Sequence, residues 1–191
     1  KNNFYPKKIK IGATVTIGTY LLPKIIKSIQ QSQNIEINYK IDNTRNIEKM
    51  IFDFTIDFAI VEGNIHSSNI KTIPIIEDEL IFICSTKSSF ASKSSISINE
   101  LSNIKFVLRE DGSGTKELID YYFQSKNIKI ETVGSVTSIE VIKNMVLENI
   151  GVSIIPKISV AEELKQNILK SCKIEGMNLY RTFNIVFHKD K

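Results

Sequence analysis

Three short stretches of this chain combine hydroxyls, glycines and one arginine in a way that suits the holding of a small anion. Thr14, Thr16, Gly18 and Thr19 form the first, Arg109, Gly112, Ser113, Gly114 and Thr115 the second, and Ser135, Thr137 and Ser138 the third. Each follows a strand-like stretch and precedes a helix-like one. The first N–H groups of a helix have no intrahelical partner and carry partial positive charge, so such turns can receive a carboxylate or an oxyanion. Ser and Thr are also the preferred N-caps, and Thr137-Ser138-Ile139-Glu140 has the form of a capping box. For one hydroxyl taken alone, capping is the better reading; for the set of three turns, ligand binding by some members is. Arg109 ends the apolar run Phe106-Val107-Leu108 at the strand edge where a ligand would lie, and its guanidinium suits planar anions. A surface ion pair with Glu110 or Asp111 is the equally weighted alternative.

Other chemistry has little support. There is no P-loop, nucleophile elbow or zinc-spaced cluster, and the two histidines, His66 and His188, lack ligand-type neighbours. No metal, cofactor or catalytic residue is expected, and the chain does not read as an enzyme. Glu77, Asp78 and Glu79 are the densest carboxylates; just ahead of a strand they read as a solvated turn, not a catalytic pair.

The elements that must position these turns follow from periodicity. A strand at Ile9 to Ala13, a helix at about Thr19 to Gln31, a strand at Ile35 to Ile41, a helix at Arg45 to Phe54 and a strand at Asp57 to Val61 make one unit. A second has strands at Lys105 to Leu108, Lys129 to Val133 and Val152 to Ile155, with helices at about Gly114 to Ser125 and Ser138 to Glu148. Ile47, Met50, Ile51 and Phe54 recur at helical spacing, as do Leu118, Ile119, Tyr122 and Phe123. Ile35, Ile37, Tyr39 and Ile41 instead alternate with polar residues, the period of a strand near a sheet edge. The fold class is α/β. In open α/β sheets ligands bind at the carboxyl ends of the strands, where the three turns fall.

The 191 residues allow two lobes of about 80 to 100 residues each. With 42% hydrophobic and 24% charged residues the composition is that of a soluble domain, and no run approaches the roughly 18 apolar residues of a membrane span. A net charge of +4, with lysines spread along the chain, is a weak footprint for nucleic acid. Cys84 lies in an apolar run and Cys172 far along the chain, which favours two reduced thiols over a disulfide; with no secretion signal visible, a cytoplasmic location is expected.

Read in order, Thr16-Ile17-Gly18-Thr19-Tyr20-Leu21-Leu22-Pro23, Asp57-Phe58-Ala59-Ile60-Val61-Glu62-Gly63, Asp78-Glu79-Leu80, Leu108-Arg109-Glu110-Asp111-Gly112-Ser113-Gly114-Thr115, Ser138 to Lys143 and Ile150-Gly151-Val152-Ser153-Ile154-Ile155-Pro156 resemble the effector-binding domain of LysR-type transcriptional regulators. The likeness covers nearly the whole chain. It implies two Rossmann-like subdomains of the type II periplasmic-binding-protein kind, joined by two crossing segments: residues 7–84 with 181–191, and residues 85–180. A small effector would bind in the cleft between them to modulate DNA binding and transcription. It implies a homodimer, or a tetramer at full length, pairing through a helix that carries Leu21, Ile25 and Ile29. DNA would be met only through a winged helix-turn-helix that precedes this region in the family and is absent from this fragment.

Carried over by motif, the ligand-contacting positions are Thr16, Gly18 and Thr19, then Ser113 and Thr115, then Ser135 and Thr137, with Arg109 as the basic residue of the subgroup's Arg-Glu-x-Gly-Ser-Gly-Thr run. That run looks most like family members associated with sulfur assimilation, so the resemblance implies a sulfur oxyanion or a short carboxylate as effector. Two positions depart from the pattern: Lys116 stands for a frequent Arg, and Asn149 for a frequent Gly. The first loses a bidentate fork; the second keeps a residue that tolerates the left-handed conformation ending a helix. A solute-binding protein of a transport system would share the fold and is the alternative. An enzyme of the prephenate dehydratase type is a weaker one, since Arg181-Thr182-Phe183 differs in order from its Thr-Arg-Phe signature.

Overall fold

A computed structural model describes residues 7–32 and 35–191. Contacts divide the chain into two units, one of residues up to Ile76 together with Thr182–Lys191, the other Glu77–Arg181.

The first unit opens with β1 (Lys7–Thr14), a short helix α1 (Val15–Tyr20) and a longer helix α2 (Leu22–Ser32). Strand β2 (Ile35–Asp42), helix α3 (Thr44–Phe52) and strand β3 (Phe58–Glu62) follow. β2 and β3 both run parallel to β1, as strands joined through helices do. β2 is the edge strand the alternation predicts, with Tyr39 and Ile41 exposed. The core is the apolar faces of Ile11, Ala13 and Ile17 on one side and Ile47, Ile51 and Ala59 on the other. Asn43 caps α3 by accepting from the Asn46 N–H at 3.0 Å.

Two expectations for this unit are corrected. The helix predicted from Thr19 begins at Val15, interrupted at Leu21, so Thr16, Gly18 and Thr19 lie inside α1 instead of in a turn ahead of a helix. Phe54, placed on the apolar stripe of a helix, lies beyond α3 with φ 55° and is half exposed. The Thr55 N–H donates to the Met50 carbonyl at 2.9 Å and the Phe54 N–H to the Ile51 carbonyl at 3.1 Å, which is how a left-handed residue ends a helix.

Strand β4 (Ile70–Ser85) carries the chain out of the first unit. Its later half, Leu80–Ser85, pairs in the second unit, so the passage falls at Ile76 and Glu77. Next come β5 (Ser95–Ile96), a 3-10 turn over Ile98–Asn103, β6 (Lys105–Arg109), α4 (Gly114–Ser125), β7 (Glu131–Val136) and α5 (Ile139–Leu147). β8 (Ser153–Pro156), a second 3-10 turn over Lys157–Ser159, α6 (Ala161–Lys165) and β9 (Leu169–Ile174) complete that unit. β10 (Tyr180–His188) returns the chain, passing at Arg181 and Thr182 and lying antiparallel to β3.

In the second unit β6 and β7 pair in parallel, and β4 pairs antiparallel with β8 and β9. Phe82, Phe106 and Phe123 meet edge to face, with ring centroids 6.4 and 5.6 Å apart, and Leu80, Ile119 and Leu179 fill in around them. Ile119 and Phe123 are the buried members of the stripe predicted for α4. Asn127, Asn149 and Asn167 adopt positive φ at the ends of α4, α5 and α6, so the asparagine standing for a frequent glycine at 149 does the glycine's work. Cys84 and Cys172 are free and buried in one core cluster; burial pushes both thiols up, Cys172 to about 11.

Candidate functional site

In the second unit four of the predicted residues come together at the carboxyl end of β6. Register pairs Leu108 with Ser135 and Arg109 with Val136, so β7 runs past the expected Val133 and Ser135 lies in its last two residues, beside Arg109, not in a turn. The chain then turns through Gly112, at φ 93°, into Ser113 and α4. Arg109 is 2% exposed. Its Nε and Nη2 donate to the two carboxylate oxygens of Glu110 at 2.8 and 3.0 Å, so the alternative of a pair with Glu110 is realised, but buried and not at the surface. Nη1 is buried with no partner among the described residues.

Ser113 stands at the N-cap of α4, yet its side chain caps nothing: Oγ is buried and makes no hydrogen bond to the described residues. The usual use of a serine there is therefore vacant. Thr115 is fully buried, and its Oγ1 accepts from Arg181 Nη1 at 2.8 Å. A hydroxyl that accepts keeps its proton to give. The Ser135 hydroxyl leans on the Arg109 carbonyl at 3.4 Å, a long contact, and both Ser135 and Thr137 are exposed. Capping of α5 is by Ser138, which accepts from the Val141 N–H at 3.4 Å, so the cap falls one residue after Thr137, and Val141 stands where a box would need Glu or Gln. Glu140 instead pairs with Lys143 at 2.9 Å.

The first unit's predicted residues are occupied differently. Thr16 is fully buried and its Oγ1 donates to Glu62 Oε1 at 2.8 Å, while Thr14 Oγ1 donates to Oε2. Gly18 has a packing reason: a Cβ there would lie 2.7 Å from Ile41 Cγ2, so glycine lets α1 lie against β2. Thr19 is exposed and returns its hydroxyl to the Val15 carbonyl at 2.8 Å, the local bond that Thr makes within helices.

Three important residues escape the sequence. Glu62 lies in the Asp57–Gly63 run but has no distinguishing neighbour there. Asp78 is not in a solvated turn; it is a buried residue of β4, ion-paired with Arg181 Nε at 2.8 Å, because the chain brings β10 back beside β4. Arg181 enters from sequence only as the first residue of the returning stretch 181–191 and of Arg181-Thr182-Phe183. Among the described residues no group of three His, Cys, Asp or Glu side chains is placed to hold a metal, and no helix is long and apolar enough to cross a membrane.

Residues 5–191 match the LysR substrate binding domain family. The chain is 29% identical over 184 residues to the HTH-type transcriptional regulator YeiE of Escherichia coli K12, covering 96% of this chain and 62% of that protein. It is 24% identical to the HTH-type transcriptional regulator CysL of Bacillus subtilis, covering 97% and 62%. It thus spans less than two thirds of these relatives' length. Among solved structures, the CcmR regulatory domain of Synechocystis with 2-PG superposes with a TM-score of 0.88 at 21% identity, covering 97% of this chain and 89% of that one. The effector binding domain of QuiR with shikimate gives 0.86 at 22%, covering 98% and 90%. These likenesses support two α/β subdomains of the periplasmic-binding-protein kind, and the relatives are regulators, which leaves the transport alternative without support. The chain belongs to the LysR substrate-binding domain family.

Proposed function

We propose that this chain is the effector-sensing part of a cytoplasmic LysR-type transcriptional regulator, and that its effector is a small anion, a sulfur oxyanion or a short carboxylate. The carrying observation is the pair of buried, unpartnered polar atoms at one place in the second unit, Arg109 Nη1 and Ser113 Oγ. Buried polar groups left unpaired cost free energy that a ligand's oxygens would recover. They stand at the start of α4, a twelve-residue helix whose first N–H groups add partial positive charge. Thr115, backed by Arg181, supplies a further donor. Ser135 and Thr137 are exposed neighbours that shape access; in the first unit, Thr16 is held by Glu62, and Gly18 and Thr19 act through the packing of α1.

Calorimetric titration with sulfite, thiosulfate, sulfate and acetate, repeated with Ser113→Ala and Thr115→Ala, tests the reading. Loss of one hydrogen bond to a charged ligand should weaken the best-bound anion by about 10- to 150-fold in each variant. Absence of binding by every anion, with the chain folded, would overturn it.

DNA binding belongs to a segment outside this chain, and regulation requires that the effector bind one arrangement of the assembly better than another. The chain is proposed to form a homodimer, and a tetramer within the full-length regulator. Helix α2 supports this, with Ile25 and Ile29 only partly covered by their own unit. Sedimentation velocity should show a dimer; monomer alone at high concentration would remove that proposal for this chain.

A further inference from the structure

Among the described residues, each cation at the start of α4 has a carboxylate of its own. Arg109 holds both oxygens of Glu110 through Nε and Nη2, at 2.8 and 3.0 Å, with the two side chains 2% and 16% exposed. Arg181 holds Asp78 at 2.8 Å, and both are buried. Lys116 lies between Asp120 and Asp111, the latter at 3.9 Å, and Glu117 is a further acid in the first turn of the helix. Open hydrogen-bond donors are thus present without open positive charge. Arg109 Nη1 and the Ser113 hydroxyl lack partners among the described residues, while the helix start adds only about half an elementary charge. An anion on Nη1 would share one planar guanidinium with the Glu110 carboxylate, and like charges that close together in a part-buried place repel strongly.

We propose that Glu110 is a specificity determinant that restricts the effector to singly charged anions. It neutralises Arg109 while leaving Nη1 open, so a ligand meets a directed hydrogen bond with no net positive charge behind it. A monoanion is satisfied by the donors and the helix start; a dianion brings a second negative charge for which no cation is left. The effector class is then a monocarboxylate or a singly ionised oxyanion such as hydrogen sulfite, and sulfate and thiosulfate bind poorly. This rests on the anion reading above and narrows it within the second unit alone.

The test is calorimetric titration with methanesulfonate against sulfate, two tetrahedral anions of similar size that differ by one charge, at constant ionic strength and with acetate alongside. Methanesulfonate should bind at least about 10-fold more tightly although it offers one oxygen fewer, a ratio within reach of one charge repulsion in a part-buried place. In Glu110→Gln the amide oxygen still accepts from Arg109 while the negative charge is gone, so the ratio should move towards sulfate by at least about 10-fold. Asp111→Asn removes a neighbouring carboxylate whose side chain is 86% exposed, and should shift the ratio by less than about 2-fold. Sulfate binding as tightly as methanesulfonate, an unchanged ratio in a folded Glu110→Gln protein, or an equal shift in Asp111→Asn would overturn the inference while leaving the anion reading in place. No binding by any of the three anions would remove the anion reading and this inference with it. The wild-type pair decides the charge class alone should the Gln variant fail to fold.

Discussion

Arg181→Ala should destabilise the chain by about 3–5 kcal/mol, the cost of removing one partner from a buried ion pair. The side chains of Arg181 and Asp78 are 5% and 6% exposed, and Nε meets Oδ2 at 2.8 Å. The substitution removes the cation and leaves the Asp78 charge in an interior that cannot solvate it. It also deletes the donor that holds Thr115 at the start of α4. The pair joins β4 to β10 within the second unit, and its two members stand at the ends of that unit's span, Glu77–Arg181. Urea unfolding gives the loss, and a cycle with Asp78→Ala isolates the coupling, since the second substitution should cost far less once Arg181 is gone. The exposed pair of Lys8 and Glu36, 3.1 Å apart with side chains 68% and 46% exposed, is the control and should change stability by no more than about 1 kcal/mol. A loss of under about 1 kcal/mol for Arg181→Ala would show that the pair does not hold the two strands together.

How far the fold and the site could be read from the sequence depended on how local the determinants are. The span of α4 and the edge position of β2 were legible because helical and strand periods differ within a dozen residues. The start of α1 was not: Val15 and Thr16 are β-branched, and their helix is set by the covering of Ile17 in the core and by the approach of Gly18 to Ile41. The second-unit site was legible as a list of residues, since Arg109, Ser113 and Thr115 share one turn. What each side chain does there was not. Ser113 has the identity of an N-cap without the bond, and the Arg109 fork is divided between Glu110 and an open Nη1. Asp78 and Arg181 are 103 residues apart in sequence, and only the return of β10 beside β4 makes them partners. Glu62 gains its character from Thr14 and Thr16, more than 40 residues away. Polarity of a hydroxyl is a property of its partner, and no spacing rule reports it.

Arg109→Gln should weaken the best-bound anion by about 10- to 150-fold, the value of a hydrogen bond from a charged donor. Three cations stand near the start of α4: Lys116, Arg109 and Arg181, the last of which holds Asp78 and Thr115. Lys116 is engaged on both sides, by Asp120 and by Asp111 at 3.9 Å. Arg109 spends Nε and Nη2 on Glu110 and keeps Nη1 buried and unpartnered among the described residues, so it has a donor to spare. The planar guanidinium can hold Glu110 with one edge and present another to a ligand, whereas an ammonium on a flexible stem cannot do both in fixed geometry. Arg109→Lys should therefore recover only part of the affinity. Because the group is buried, raising ionic strength should do little to mimic the loss. Glutamine fills similar space, and Glu110 retains some exposure, so the cost in stability should be well below that of Arg181→Ala. Calorimetry on both variants, with circular dichroism to confirm the fold, checks the expectation. Unchanged affinity in a folded Arg109→Gln protein would move the anion away from this arginine.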